Sequence, residues 1–370
     1  MDRRDFLTLG ASGLAAIGAG SLAARQQELA LYDLAGRRGL RFGCAISRRA
    51  WGYRDYADLS FNHSDTLVGE NAFKWRYLEP RARKYDTNEA DWIVGLAAQD
   101  RMRLRGHCFV WNHHDRMPGW IVELAASSNK RDAQDVTRHM WRHGAFLARK
   151  FPSIHGWDAM NEAVDPRTGL MRETHFTRLL GDRFFDLAFR VMHAKNPKAR
   201  LVLNETMSWE SDPTHRDGVL RLLERGLSRG LPVHALGIQS HIGKTLGKPR
   251  DERAWFRFLE EVEGMGLEVI LTEFDCSDRN IANGDPKQRD AIVASHCKDY
   301  LDLTLSFRNV REVIVWSLAD GPSYMNRASY PLRRRRLDGL PLRGHPFDDQ
   351  MQSKPMFDAL VTSFHNAPLR

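Results

Sequence analysis

The 370-residue sequence predicts an α/β protein built as one closed (β/α)8 barrel, and three observations carry that prediction. Short apolar runs recur eight times along the chain. Their ends advance by roughly 25 to 50 residues, the length a strand–helix unit and its loops require. Polar and acidic side chains gather at the C-terminal ends of those runs, which a barrel brings together on one face.

The eight strand candidates are Leu40 to Ala45, Thr66 to Glu70, Met102 to Trp111, Ile154 to Asn161, Arg200 to Asn204, Ala235 to His241, Leu267 to Glu273 and Val313 to Leu318. Helical patterns lie between them, among them Ala133 to Lys150, Phe176 to Ala194, Gly218 to Arg229 and Arg253 to Gly264. Ser211-Asp212-Pro213 and Asn283-Gly284-Asp285-Pro286 supply turn and helix-start chemistry. An open doubly wound sheet would want a glycine-rich phosphate turn after the first strand, and Gly43-Cys44-Ala45-Ile46-Ser47 offers none.

The first 24 residues read as a leader outside this fold. Arg3-Arg4-Asp5-Phe6-Leu7 is a twin-arginine pattern, and an Ala- and Gly-rich apolar stretch with small-x-small sites follows it. That stretch is too short for a stable membrane anchor. Export of the folded protein to the periplasm or beyond is the expectation, with residues 25–370 as the barrel and no stable membrane insertion once the leader is cleaved.

Apolar residues make up 42% of the chain, enough for a large core. Ten tryptophans fit either packing or flat faces for sugar rings. The charge of +8 includes the run Arg333-Arg334-Arg335-Arg336, but no nucleic-acid module accompanies it, so no nucleic-acid partner is expected. Cys44, Cys108, Cys276 and Cys297 lack metal-site spacing. Cys276 with Cys297 is a candidate disulfide that sequence leaves open. No cofactor, no metal and a monomer are expected.

Two carboxylates stand out. Glu162 ends Trp157-Asp158-Ala159-Met160-Asn161-Glu162, and Glu273 sits in Thr272-Glu273-Phe274-Asp275. An unpartnered charge after an apolar strand costs several kcal/mol, roughly, so each needs a reason to be there. Glycosidic cleavage supplies one: a protonated carboxyl releases the leaving oxygen while an ionised one meets the anomeric carbon. His241, with Asp275 on the next strand, is the His–carboxylate unit that fixes a ring tautomer.

At these residues the sequence resembles the family-10 glycoside hydrolases, mostly endo-β-1,4-xylanases on a TIM barrel, from about Arg41 to Leu360. Gly69-Glu70-Asn71-Ala72-Phe73-Lys74-Trp75 resembles the motif whose Glu, Asn and Lys hold a sugar two rings from the cleavage point. Arg105-Gly106-His107-Cys108-Phe109-Val110-Trp111 would place His107 and Trp111 beside the reacting ring. The resemblance implies Glu162 as acid/base, Asn161 on the 2-hydroxyl and Glu273 as nucleophile. It further implies Gln239 on the sixth strand, His241 orienting Glu273, Asp275 holding His241, and Trp316 as an aromatic platform. Pro346-Phe347-Asp348 with Lys354-Pro355 resembles the family's closing segment. Hydrolysis with retained configuration on xylan is the implied activity. The same chemistry on another β-1,4-glycan, or a silent glycan-binding barrel, are the alternatives.

The rims depart from the family pattern. Asn112-His113-His114 follows Trp111, and Asn204-Glu205-Thr206-Met207 lacks a Tyr expected on the leaving-group side. Ser317 stands where Gly is common, and Ser323-Tyr324 stands where the family usually has Ser-Trp over the cleft. With the arginine run, these changes suit an acidic or modified chain.

Overall fold

The computed structural model describes residues 30–370 apart from 127, 128, 247, 249 and 283; the twin-arginine segment and Asn283 lie outside the described residues. The barrel strands are β1 (Arg41–Ile46), β2 (Thr66–Gly69), β3 (Arg103–Gly106), β4 (Gly156–Asn161), β5 (Arg200–Glu205), β6 (Ala235–Ile238), β7 (Glu268–Cys276) and β8 (Val310–Val315). Each pairs in parallel with the next, and β8 returns to β1, so the cylinder closes.

Side chains alternate across each strand. Leu201, Leu203, Leu236 and Leu271 point outward into the main core shared with the helices. Val202, Ala235 and Ile270 form a separate buried cluster, as do Ala45, Val68, Ile314 and Trp316. Trp75, Trp157, Trp209 and Trp255 are all buried, so much of the tryptophan content is packing.

Helix starts follow local chemistry. Asn129 accepts a hydrogen bond from the Asp132 amide and opens Lys130–Lys150. Proline occupies the first turn of Pro213–Ser228, Pro286–Leu305 and Pro355–Asn366, where its fixed φ is already helical. The single helix expected over Phe176 to Ala194 is two, His175–Leu180 and Arg183–Lys195, separated at Gly181 with φ 61°. Met102 to Trp111 is likewise interrupted: β3 ends at Gly106, and only Val110–Trp111 pairs again with β4.

A charged network ties the barrel interior. Arg105 on β3 reaches Asp158 on β4 at 2.6 Å and Glu312 on β8 at 3.0 Å. Because β3 and β8 are not neighbours, this bridge runs through the cylinder. Removing one member strands its partners without solvent. Arg105→Met is expected to lower unfolding free energy by about 3–5 kcal/mol in a denaturant titration. A loss below about 1 kcal/mol would show that the interior charges are compensated some other way.

Candidate active site

Glu162 and Glu273 open onto one end of the barrel, and three amides join them. Gln239 donates to Glu162 Oε1 at 3.2 Å and lies 3.4 Å from Asn161 Oδ1. Asn204 donates through one nitrogen to Asn161 Oδ1 at 2.8 Å and to Glu273 Oε1 at 2.9 Å. Its own carbonyl oxygen accepts from Thr272 at 2.6 Å. This packing leaves no room beside Asn204: a Cβ on Gly237 would sit 2.5 Å from Asn204 Oδ1.

The two carboxylates are held differently. Glu162 takes φ 54°, a left-handed conformation that costs a non-glycine residue about 1–3 kcal/mol. The backbone beyond it is pinned to compensate. Glu205, fully buried on β5, accepts from the amides of Ala163 at 2.8 Å and Val164 at 3.1 Å. Burial raises the Glu205 pKa, and His215 opposes that shift. Asn161 and Asn204 are in register on β4 and β5. Two Asn-Glu pairs thus stand side by side, one Glu entering the site and the other buried as its anchor.

Glu273 is enclosed. His241 Nε2 lies 3.3 Å from Oε2, and His107 Nε2 lies 4.0 Å from Oε1. Burial alone would push its pKa up. The His241 hydrogen bond, with nearby His107, His241 and Lys74, outweighs burial and lowers the value to about 2. His241 donates from Nδ1 to Asp275 at 2.9 Å. Burial disfavours the charged ring, yet Asp275 and Glu273 raise its pKa to about 10. His107 is oriented by Asp158 at 2.8 Å.

The residues expected to hold the glycone are each engaged by protein partners. Lys74 bonds Asn71 at 3.0 Å, and burial lowers its pKa. Its ammonium lies 4.8 Å from the Trp111 ring, over which Arg116 also sits at 5.0 Å. Trp111 is therefore a cation platform before any sugar arrives. Trp316 is only 8% exposed and meets His107 edge-on at 5.4 Å, which leaves little of it as a platform. Glu70 forms a bidentate pair with Arg327, at 2.5 and 2.6 Å.

Sequence reasoning left Asn204, Glu205 and Arg327 without roles in the site. The repeated Asn-Glu dipeptide was the one available signal for the first two. The arginine run is not a free basic patch. Arg336 is buried, bonding the Asp278 carbonyl at 2.7 Å and pairing with Asp338, and Arg335 bonds the Tyr330 carbonyl at 3.0 Å. Only Arg333 and Arg334 of the four are exposed. All four cysteines are buried free thiols, so Cys276 and Cys297 are unpaired as a disulfide.

Among the described residues, no cluster of three or more His, Cys, Asp or Glu side chains could hold a metal ion. No described helix is long and apolar enough to cross a membrane.

A closed barrel with two bridged carboxylates at its mouth has the form of a glycoside hydrolase. A family model described as Glycosyl hydrolase family 10 matches residues 30–363, and the chain belongs to that family. It is 29% identical over 336 residues to endo-1,4-beta-xylanase B of Paenibacillus barcinonensis, covering 87% of this chain and 94% of that one. It is also 29% identical over 292 residues to a beta-1,4-xylanase of Dictyoglomus thermophilum, covering 75% and 79%. Native xylanase 10B from Thermotoga maritima shares the fold, with a TM-score of 0.78, 23% identity, and coverage of 90% of this chain and 98% of that one.

Proposed function

We propose that the protein is a retaining endo-β-1,4-glycanase acting on internal bonds of xylan. Glu273 attacks the anomeric carbon while Glu162 protonates the departing oxygen; Glu162 then takes a proton from the water that frees the sugar. The observation carrying this reading is the unequal pair. One carboxylate is held ionised by His241, while the other is tethered to it only through neutral amides. Asn161 supports it, since its buried Nδ2 has no hydrogen-bond partner among the described residues and can donate to a sugar hydroxyl. The named activities of the relatives supply the choice of xylan.

Digestion of xylan, glucuronoxylan, cellulose and mixed-linkage glucan tests the proposal. Xylan should yield short oligosaccharides whose new reducing ends appear first as the β-anomer by NMR. First-formed α-anomer, or preferred turnover of a glucan, would overturn the mechanism or the substrate respectively.

The charge state of Glu273 sets a pH expectation. Its folded pKa lies below the unfolded 4.5, so its stabilising contribution is complete above 4.5 and disappears as pH falls through about 2. His241 runs oppositely: its contribution is full below 6.5 and is lost as pH rises through about 10. On an aryl glycoside whose leaving group needs no proton, kcat/KM should therefore stay level well below pH 4.5 while circular dichroism reports a folded chain. An acid limb centred at 4.5 would mean that Glu273 is not held this way.

A further inference from the structure

Tyr324 follows Ser323 at a place where the family resemblance leads one to expect a tryptophan over the cleft. Its ring packs against the interior cluster of Ala45, Val68, Ile314 and Trp316 and lies 5.9 Å from the His241 ring. Its hydroxyl adds a hydrogen bond to that packing. It donates to Asp275 Oδ2 at 3.1 Å, the same oxygen that accepts from His241 Nδ1 at 2.9 Å. The phenol oxygen and Nδ1 are 3.4 Å apart because two donors share one acceptor.

We propose that Tyr324 is a positioning residue that works through its hydroxyl: it fixes Asp275, so that the His241 ring is held where Nε2 meets Glu273. The proposal rests on Glu273 being the nucleophile. Asp275 is 2% exposed, so no water competes freely for the shared oxygen, and each donor limits the swing of the carboxylate. Burial, with Asp275, Tyr330 and Glu273 nearby, pushes the Tyr324 phenol well above its ordinary pKa, so it stays a donor. The aromatic ring keeps its place through packing, which leaves the hydroxyl as the separable part.

Tyr324→Phe removes that hydroxyl and keeps the ring. On 2,4-dinitrophenyl β-xylobioside, kcat/KM should fall about tenfold with KM unchanged within about twofold. Tyr324→Trp restores the commoner ring without the hydroxyl and should show the same loss in kcat. In a background of Asp275→Asn, adding Tyr324→Phe should cost less than about twofold more, because the acceptor is already altered. Thermal melts establish that each variant is folded. Wild-type kcat in both Tyr324 variants, a change confined to KM, or full multiplicative losses in the double variant would each overturn the proposal. Azide rescue of Glu273→Ala separates the two levels. Formation of the α-glycosyl azide upholds the nucleophile assignment, so a silent Tyr324→Phe then removes only the role of Tyr324. Failure of rescue removes the assignment beneath it.

Discussion

Glu273→Gln should reduce turnover of xylan and of activated aryl glycosides alike, by on the order of 10^4-fold or more. The substitution keeps size and shape, and Asn204 can still donate to the side-chain oxygen that replaces Oε1. What it removes is a negative charge that the site is built to hold. His241 and Lys74 both lower the pKa of Glu273, and His241 is itself kept charged by Asp275 and Glu273. An amide cannot form the glycosyl ester, so no leaving group, however good, compensates. Steady-state rates with a folded variant decide the matter. Residual activity above a few per cent of wild type would place the nucleophile elsewhere.

Glu162→Gln should behave differently with different leaving groups. Turnover of xylan, whose sugar leaving group needs a proton, is expected to fall by about 10^2- to 10^4-fold. The first step on a dinitrophenyl glycoside should fall less than about tenfold, since that leaving group departs unprotonated. The second step still lacks its base, so the glycosyl-enzyme should accumulate and appear as a burst followed by slow release. The introduced amide can keep the bond to Gln239 by turning its oxygen toward that donor, and Glu205 continues to pin the Ala163 and Val164 amides. The left-handed turn should survive. Equal losses on both substrates would mean that Glu162 supports the fold of the loop and not proton transfer.

Much of this site was legible along the chain because barrel strands are read locally. A strand end is marked by where an apolar run stops, and all eight strand candidates overlap the observed strands. Glu162 directly follows β4, Glu273 and Asp275 lie within the last four residues of β7, and His241, just past the end of β6, meets both carboxylates. The helix over residues 176–194 was misjudged because Gly181 lies inside a continuous apolar rhythm, and only its positive φ reveals the break. The arginine run was misleading for a related reason. Composition reports charge, but not that Arg336 pairs with Asp338 two residues on while its guanidinium is buried against the carbonyl of Asp278, far earlier in the chain. Asn204 shows the same limit: its bridge to Glu273 spans 69 residues. Glu205 differs from Glu162 in backbone angle, burial and partners, and none of these leaves a trace in the dipeptide.

Glu70 and Arg327 are 257 residues apart, yet they lock together where the loops after β2 and β8 leave the barrel. Both side chains are shielded, at 12% and 16% exposure, so ordinary salt screens the pair weakly. The arrangement of these two loops is consequently set when the chain folds. If Glu70 lines the glycan site, as the family resemblance implies, a glycan would meet a surface whose ordering entropy has already been lost, and binding need not supply it again.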